Sequence, residues 1–207
     1  QQSPEQAPDG SQQSLDQEFG SSLAKRLRAT LLAAEETSQF EAAADDADVL
    51  LQELERCAGP TPAELLQAHN ADERMLLGLL QTPSADGMTA RAVSWLLAAR
   101  ANPNAENDLQ ESALSLTVRT IASFTWEPGH DVVNALLAAA ANPNSTDSQG
   151  ETPLMEAACL GDVNLCKALL DARADATHRS VAGVTPIQFA EEHPAVMGLF
   201  KPWAEEA

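Results

Sequence analysis

The sequence predicts an all-α protein, a solenoid of stacked helix-turn-helix units behind an N-terminal helical cap. Three observations point there. A block of residues recurs at fixed spacing in the C-terminal half, and the apolar residues upstream fall at helical intervals. Hydrophobic residues make up 44% of the 207-residue chain, yet aromatics are only 4% and tyrosine is absent, so the core is built from Ala, Leu and Val. That composition suits helices that approach each other closely.

Taken in chain order, residues 1–20 are rich in Gln, Ser and Pro without apolar periodicity and read as a disordered tail. The chain opens on Gln1 rather than Met. A removed signal peptide leaves such a start, and a trimmed chain leaves the same one. From residue 21 to 69 the pattern is helical: Leu23, Leu27, Leu31 and Leu32, then Phe40, Val49, Leu50, Leu54 and Cys57 after a Ser38 cap. Gly59-Pro60-Thr61-Pro62 breaks the chain before a short helix over Ala63–His69. This region is expected to cover the exposed seam of the first repeat, with a separate interaction module as the alternative.

Residues 70–207 hold the repeats. Gly150-Glu151-Thr152-Pro153-Leu154-Met155-Glu156-Ala157 returns 33 residues later as Gly183-Val184-Thr185-Pro186-Ile187-Gln188-Phe189-Ala190. Thr can cap a helix start and Pro at the next position loses no hydrogen bond there. Between the two copies a Gly161 turn leads to a second helix ending in Leu169-Leu170. Upstream, Leu136-Leu137 runs into Ala141-Asn142-Pro143-Asn144, and Leu96-Leu97 into Ala101-Asn102-Pro103-Asn104. These two copies lie 40 residues apart, so one repeat carries a seven-residue insertion around Ile121–Pro128, lengthening its first helix or the following loop. The earliest repeat pairs helices near Asp72–Gln81 and Thr89–Arg100, and Ala195–Phe200 forms a truncated closing helix. Phe189, Phe200 and Trp203 are expected over the last seam.

This order of Gly-x-Thr-Pro-Leu, short Ala-rich helix, Gly turn and Leu-Leu helix resembles the ankyrin repeat, with about three repeats plus a truncated closing one. Two departures stand out. The glycine usual after the second helix is replaced by Arg100, Ala140 and Arg173; a left-handed backbone there would cost on the order of 1 kcal/mol each. The histidine usual after Thr-Pro-Leu is replaced by Ser115, Met155 and Gln188, so the hydrogen bonds it makes between turns are expected to be missing.

Charge narrows the partners. With 31 acidic and 12 basic residues the formal charge is -19, which disfavours phosphate backbones and anionic membrane surfaces and favours a basic protein surface. No run approaches the roughly 20 apolar residues of a membrane span. Residues 105–207 carry 15 acids against 5 bases, whereas residues 61–104 carry 4 against 3. The later repeats are therefore where a basic partner should dock.

Nothing assembles a catalytic set, so no enzyme activity and no cofactor are expected. His69, His130, His178 and His193 are scattered, and no Gly-x-Ser-x-Gly, phosphate loop or HExxH motif occurs. The acidic group Asp45, Asp46 and Asp48 lacks the glycine and terminal Glu of a calcium loop, so no metal site is expected. Cys57, Cys159 and Cys166 are an odd set without a CxxC pair; three thiols, or one bridge and one thiol, remain open.

The resemblance implies a protein-binding surface along the turn tips and first helices. Carried over position by position, it comprises Asp108, Leu109, Glu111, Arg119 and Thr120 in one repeat and Ser148, Gln149, Glu151, Cys159 and Leu160 in the next. Val181, Ala182 and Val184 follow in the last. Trp126 and Glu127 lie on the insertion, where Trp126 either anchors a partner or folds back onto the second helix. Nine Arg against three Lys suits a high-GC bacterium. Acidity, the start without methionine and a short array with an unusual cap together look like small periplasmic ankyrin proteins of Gram-negative bacteria. Some of these are immunity proteins that block a toxin delivered by a type VI secretion system, phospholipases being an apt toxin class. A general periplasmic scaffold or stress-linked protein is the alternative, a host-directed effector a third possibility, and the cytoplasm the alternative location.

Overall fold

The computed structural model describes residues 20–30, 40–56, 73–81, 83, 88–124 and 126–201. The N-terminal tail, the expected helix at Ala63–His69, Cys57 and Trp203 lie outside them. The described residues form α1 (20–30), α2 (Phe40–Arg56), α3 (Glu73–Gln81), α4 (Met88–Ala98), α5 (Ala113–Phe124), α6 (Gly129–Ala138), α7 (Pro153–Leu160), α8 (Val163–Asp171), α9 (Pro186–Phe189) and α10 (Pro194–Met197).

The elements stack as two parallel rows of helices. First helices α3, α5, α7 and α9 each pack on the next, and second helices α4, α6, α8 and α10 do the same; α3 also packs on α4, α5 on α6 and α7 on α8. Leu96, Leu136, Leu165 and Leu169 of the second row are buried, as are Leu114, Leu154, Ala157 and Ala158 of the first. All belong to one hydrophobic cluster that reaches the N-terminal helices, where α2 packs on α4. On α2 the buried stripe runs through Ala47, Leu50, Leu51 and Leu54; Val49, expected within it, is 56% exposed because it falls off that face. Phe200 is fully buried at the other end, and Phe189 packs partly against the core.

Helix starts follow the expected chemistry. Thr152 accepts the Met155 N–H with Pro153 in the first turn, and Thr185 forms a reciprocal capping box with Gln188. Ser112 does the same work for α5, accepting the Ser115 N–H at 3.1 Å. The insertion lengthens both candidates: α5 has 12 residues against 8 in α7, and the rest forms the loop to α6.

The second helices end alike. Arg100, Ala140 and Arg173 all have left-handed backbone, with φ of 68°, 66° and 68°. Around each, two N–H groups fold back onto the last helical turn: Arg100 on Leu97 and Ala101 on Leu96, Ala140 on Leu137 and Ala141 on Leu136, Arg173 on Leu170 and Ala174 on Leu169. This turn is normally closed by glycine. It persists here because Ala101, Ala141 and Ala174, the next residues, are buried.

The bonds between turns, expected to be missing, are supplied by other residues. Asn104 Nδ2 donates to the Ala140 carbonyl at 3.4 Å, and its Oδ1 accepts the Asn142 N–H at 2.6 Å. One repeat on, Asn144 makes the same pair with the Arg173 carbonyl at 3.2 Å and the Asp175 N–H at 2.7 Å. Ser112 and Ser145 share a 2.7 Å hydroxyl contact, and His178 Nε2 contacts the Gly150 carbonyl at 3.1 Å. An amide side chain can serve a carbonyl and an N–H at once, so each asparagine clamps the strained turn of its neighbour.

Because the side chains of Arg100, Ala140 and Arg173 are exposed, replacing each by glycine relieves the backbone without loss of packing. Each substitution should stabilise the protein by about 1 kcal/mol, read from urea unfolding midpoints at constant slope. Lower midpoints would mean that these side chains hold contacts worth more than the strain.

Candidate functional site

Three turns of one design precede the first helices. In the first, Asn107 Oδ1 accepts the N–H groups of Leu109 and Glu111, each at 3.0 Å. In the second, Asp147 Oδ1 accepts those of Gln149 and Glu151 at 2.8 and 2.9 Å. In the third, Ser180 Oγ accepts the Val184 N–H at 3.3 Å. Left-handed residues Gln110, Gly150 and Gly183 turn the chain back in each. The tips, Asp108-Leu109, Ser148-Gln149 and Val181-Ala182, are all exposed. Leu109 is 65% and Val181 78% exposed, and Val181 N–H donates to the Gln149 carbonyl at 2.9 Å, holding two tips edge to edge.

Behind the tips, along the seam of α5 and α7, lies a cluster of charge. Glu111 is buried; its carboxylate accepts from Asn107 Nδ2 at 2.7 Å and pairs with Arg119 Nη1. Burial, and then the charge of Asp147, holds Glu151 above the usual carboxylate range. Glu156, from the first turn of α7, is more strongly affected. Its desolvation, opposed by Arg119 and reinforced by Asp147, Glu111 and Glu151, pushes its pKa up to about 8. Glu156 Oε2 and Arg119 Nη2 are both buried without a hydrogen-bond partner. Glu106, Asp108, Glu127 and Asp131 of the same repeat as Arg119 are exposed.

Of the residues expected to face a partner, Asp108, Leu109, Ser148, Gln149, Glu127 and Cys159 are exposed. Glu151, Leu160 and Arg119 are part-buried, and the Arg119 side chain is 41% exposed. Three are not available. Glu111 is buried beneath Arg119. Thr120 is buried, its hydroxyl donating to Leu116 O at 2.8 Å and Leu80 O at 3.2 Å, so it fastens α5 to α3. Trp126 is 4% exposed and folds inward. Its ring occupies the space above Gly129, where an added Cβ would come within 2.8 Å of Trp126 Cε3 and 2.4 Å of Ile121 Cγ1. Glu156 escaped the sequence reading, although a lone acid in the apolar helix PLMEAACL was the available signal.

Neither cysteine among the described residues is bridged: Cys159 is an exposed thiol and Cys166 a buried one, pushed by desolvation up to about 12. No group of His, Cys, Asp or Glu among the described residues is arranged to hold a metal, and no described helix is long and apolar enough to cross a membrane. Since Trp126 fills the inserted loop as core, Trp126→Ala should destabilise the protein by about 3 kcal/mol, measured by chemical denaturation. An unchanged midpoint would return it to the partner surface.

On the second-helix row, His130 joins two repeats. Its Nε2 lies 2.8 Å from Asp162 Oδ2 and its Nδ1 3.3 Å from the Glu127 carbonyl, so both ring nitrogens face acceptors. Asp162 also caps α8 through the Asn164 and Leu165 N–H groups. Partial burial opposes the charged ring, but the bonds to Asp162 and Glu127 and their charges outweigh it and raise the His130 pKa. A raised value means stability fully present below the ordinary imidazole range and lost as pH rises through the folded value. The advantage of wild type over His130→Gln should therefore shrink as pH rises from the ordinary imidazole range through the raised folded value. A gap independent of pH would show that the neutral ring does the same work.

The family model of ankyrin repeats, in three copies, matches residues 83–180 and 121–199, together more than half of the chain. No curated protein matches the sequence significantly. The matched span contains the three capped turns, helices α4 to α10 and the left-handed helix ends described above, and the helical order of the described residues agrees with it. This chain belongs to the ankyrin-repeat family of protein-interaction modules.

Proposed function

We propose that the chain is a non-catalytic inhibitor of another protein, an immunity protein that occludes a toxic effector through its later repeats. The observation that carries this reading is the pairing of two exposed apolar tips, Leu109 and Val181, with the exposed acids Glu106 and Asp108 of the turn that carries Leu109. Apolar tips supply desolvated contact area, while the carboxylates steer and orient a basic partner. A phospholipase suits the surface, because a site that binds anionic head groups is itself basic and is covered well by an acidic lid. The resemblance to small periplasmic ankyrin proteins supports a periplasmic location and a toxin carried by type VI secretion.

The test is co-expression with a phospholipase toxin encoded beside the gene. Growth should be rescued by wild type and lost with the double variant Leu109→Asp, Val181→Asp, which should bind at least about tenfold more weakly. Complex affinity should fall as salt rises, since exposed charges are screened. Salt-independent binding would remove the electrostatic part of the proposal. A toxin that binds but remains active would favour a scaffold role in its place.

A further inference from the structure

The seam between the second and third repeats contains one guanidinium and two carboxyls that cannot be equivalent. Glu111 reaches Arg119 from the turn before α5 and takes Nη1. Glu156 reaches the same region from α7, which packs directly on α5. Two buried polar atoms are left over, Nη2 on the arginine and Oε2 on the glutamate, one from each repeat. A planar guanidinium can hold two carboxylates at once on its separate nitrogens. We propose that Arg119 and Glu156 form a proton-controlled clasp across this seam. While the Glu156 carboxyl carries its proton, Arg119 is held by Glu111 alone; when the proton leaves to solvent, the Glu156 carboxylate closes onto Nη2 and ties α5 to α7.

The surroundings decide when the clasp closes. The charged groups facing Glu156 are Arg119 and Glu111 from the second repeat, and Asp147 and Glu151 from the turn leading into α7. On the other neighbours, α9 carries no ionisable side chain, Lys167 and Asp171 of α8 are exposed, and the buried Cys166 of α8 stays a neutral thiol, its pKa pushed by desolvation up to about 12. Three acids against one base delay ionisation, and burial delays it further. A carboxyl whose folded pKa lies above its unfolded one weakens the fold as pH rises from the ordinary carboxyl range to the folded value, and no further beyond it. Below about pH 8 the seam therefore holds one ion pair and a neutral acid; above it, a carboxylate–guanidinium–carboxylate bridge. The clasp stands on the packing of α5 and α7, independently of any docked protein.

The experiment is NMR of the whole chain through pH 4–10, following the Glu156 side-chain carboxyl carbon and the Arg119 guanidinium nitrogens. Glu156 should titrate near pH 8, and the Arg119 signals should move with the same midpoint. Arg119→Gln should raise the Glu156 midpoint by about a unit or more, and Glu111→Gln should lower it by releasing Arg119. Glu156→Gln, a neutral match for the protonated acid, should abolish the arginine titration while keeping the fold. Arg119→Lys serves if the glutamine variant fails to fold; lacking the second nitrogen of the guanidinium, it should raise the Glu156 midpoint above the wild-type value. Titration of Glu156 in the ordinary carboxyl range, or an Arg119 signal silent through the Glu156 transition, would overturn the clasp.

Discussion

Every part of this array depends on one constraint: a helix pair this short cannot bury its own apolar face. The first helices have between 4 and 12 residues, too few to be stable alone in water. Each must be closed by its neighbours, which is why Leu96, Leu136, Leu165 and Leu169 lie in the seams and why the N-terminal helix α2 is needed over α4. Stability then behaves as a chain of nearest-neighbour terms, so a weak seam anywhere is felt by the repeats on both sides.

Polar links hold the seams in register. Asn104 and Asn144 bind the carbonyl of the strained residue and the N–H two positions later in the following repeat. The strain at Ala140 and Arg173 and the clamp on it are thus one local arrangement, in which a departure from glycine is tolerated beside a fixed hydrogen-bond pair. At the α5–α7 seam the balance differs. There the apolar contact is interrupted by Glu156, whose buried oxygen has no partner, and burial of an unpaired charge is avoided by keeping the proton. The exposed edge of the same seam bears the turn tips, so the least well-satisfied packing lies next to the surface best suited to a partner.

Features that repeat were legible in the amino-acid order. Thr152, Thr185 and the Leu-Leu pairs could be placed because each has a counterpart at a fixed interval, and Arg100, Ala140 and Arg173 could be marked as positions where a left-handed backbone would be strained because they stand where the motif has glycine. What was illegible depends on side chains meeting across the repeat boundary. The partners of Asn104 lie 36 and 38 residues away, so the clamps could not be anticipated, and the loss of the motif histidine was expected to leave gaps that other residues in fact close. Exposure also failed at Glu111 and Thr120, where the motif indicates the face but not the depth.

Trp126 shows how such an ambiguity is resolved. An aromatic on an insertion has two stable fates, a partner's pocket or its own core, and residue type does not choose between them. Here the choice falls to Gly129: without a side chain at the start of α6, Ile121 and the indole ring fill the space a Cβ would occupy. The insertion therefore contributes packing between α5 and α6 and, among its described residues, leaves Ala122, Ser123 and Glu127 exposed. That shifts the recognition surface away from the insertion and onto the turn tips, where the exposed apolar atoms are those of Leu109 and Val181. With the large aromatic turned inward, specificity at this face must come from the spacing of small apolar tips against fixed carboxylates. An array whose register is set by side-chain amides can hold that spacing.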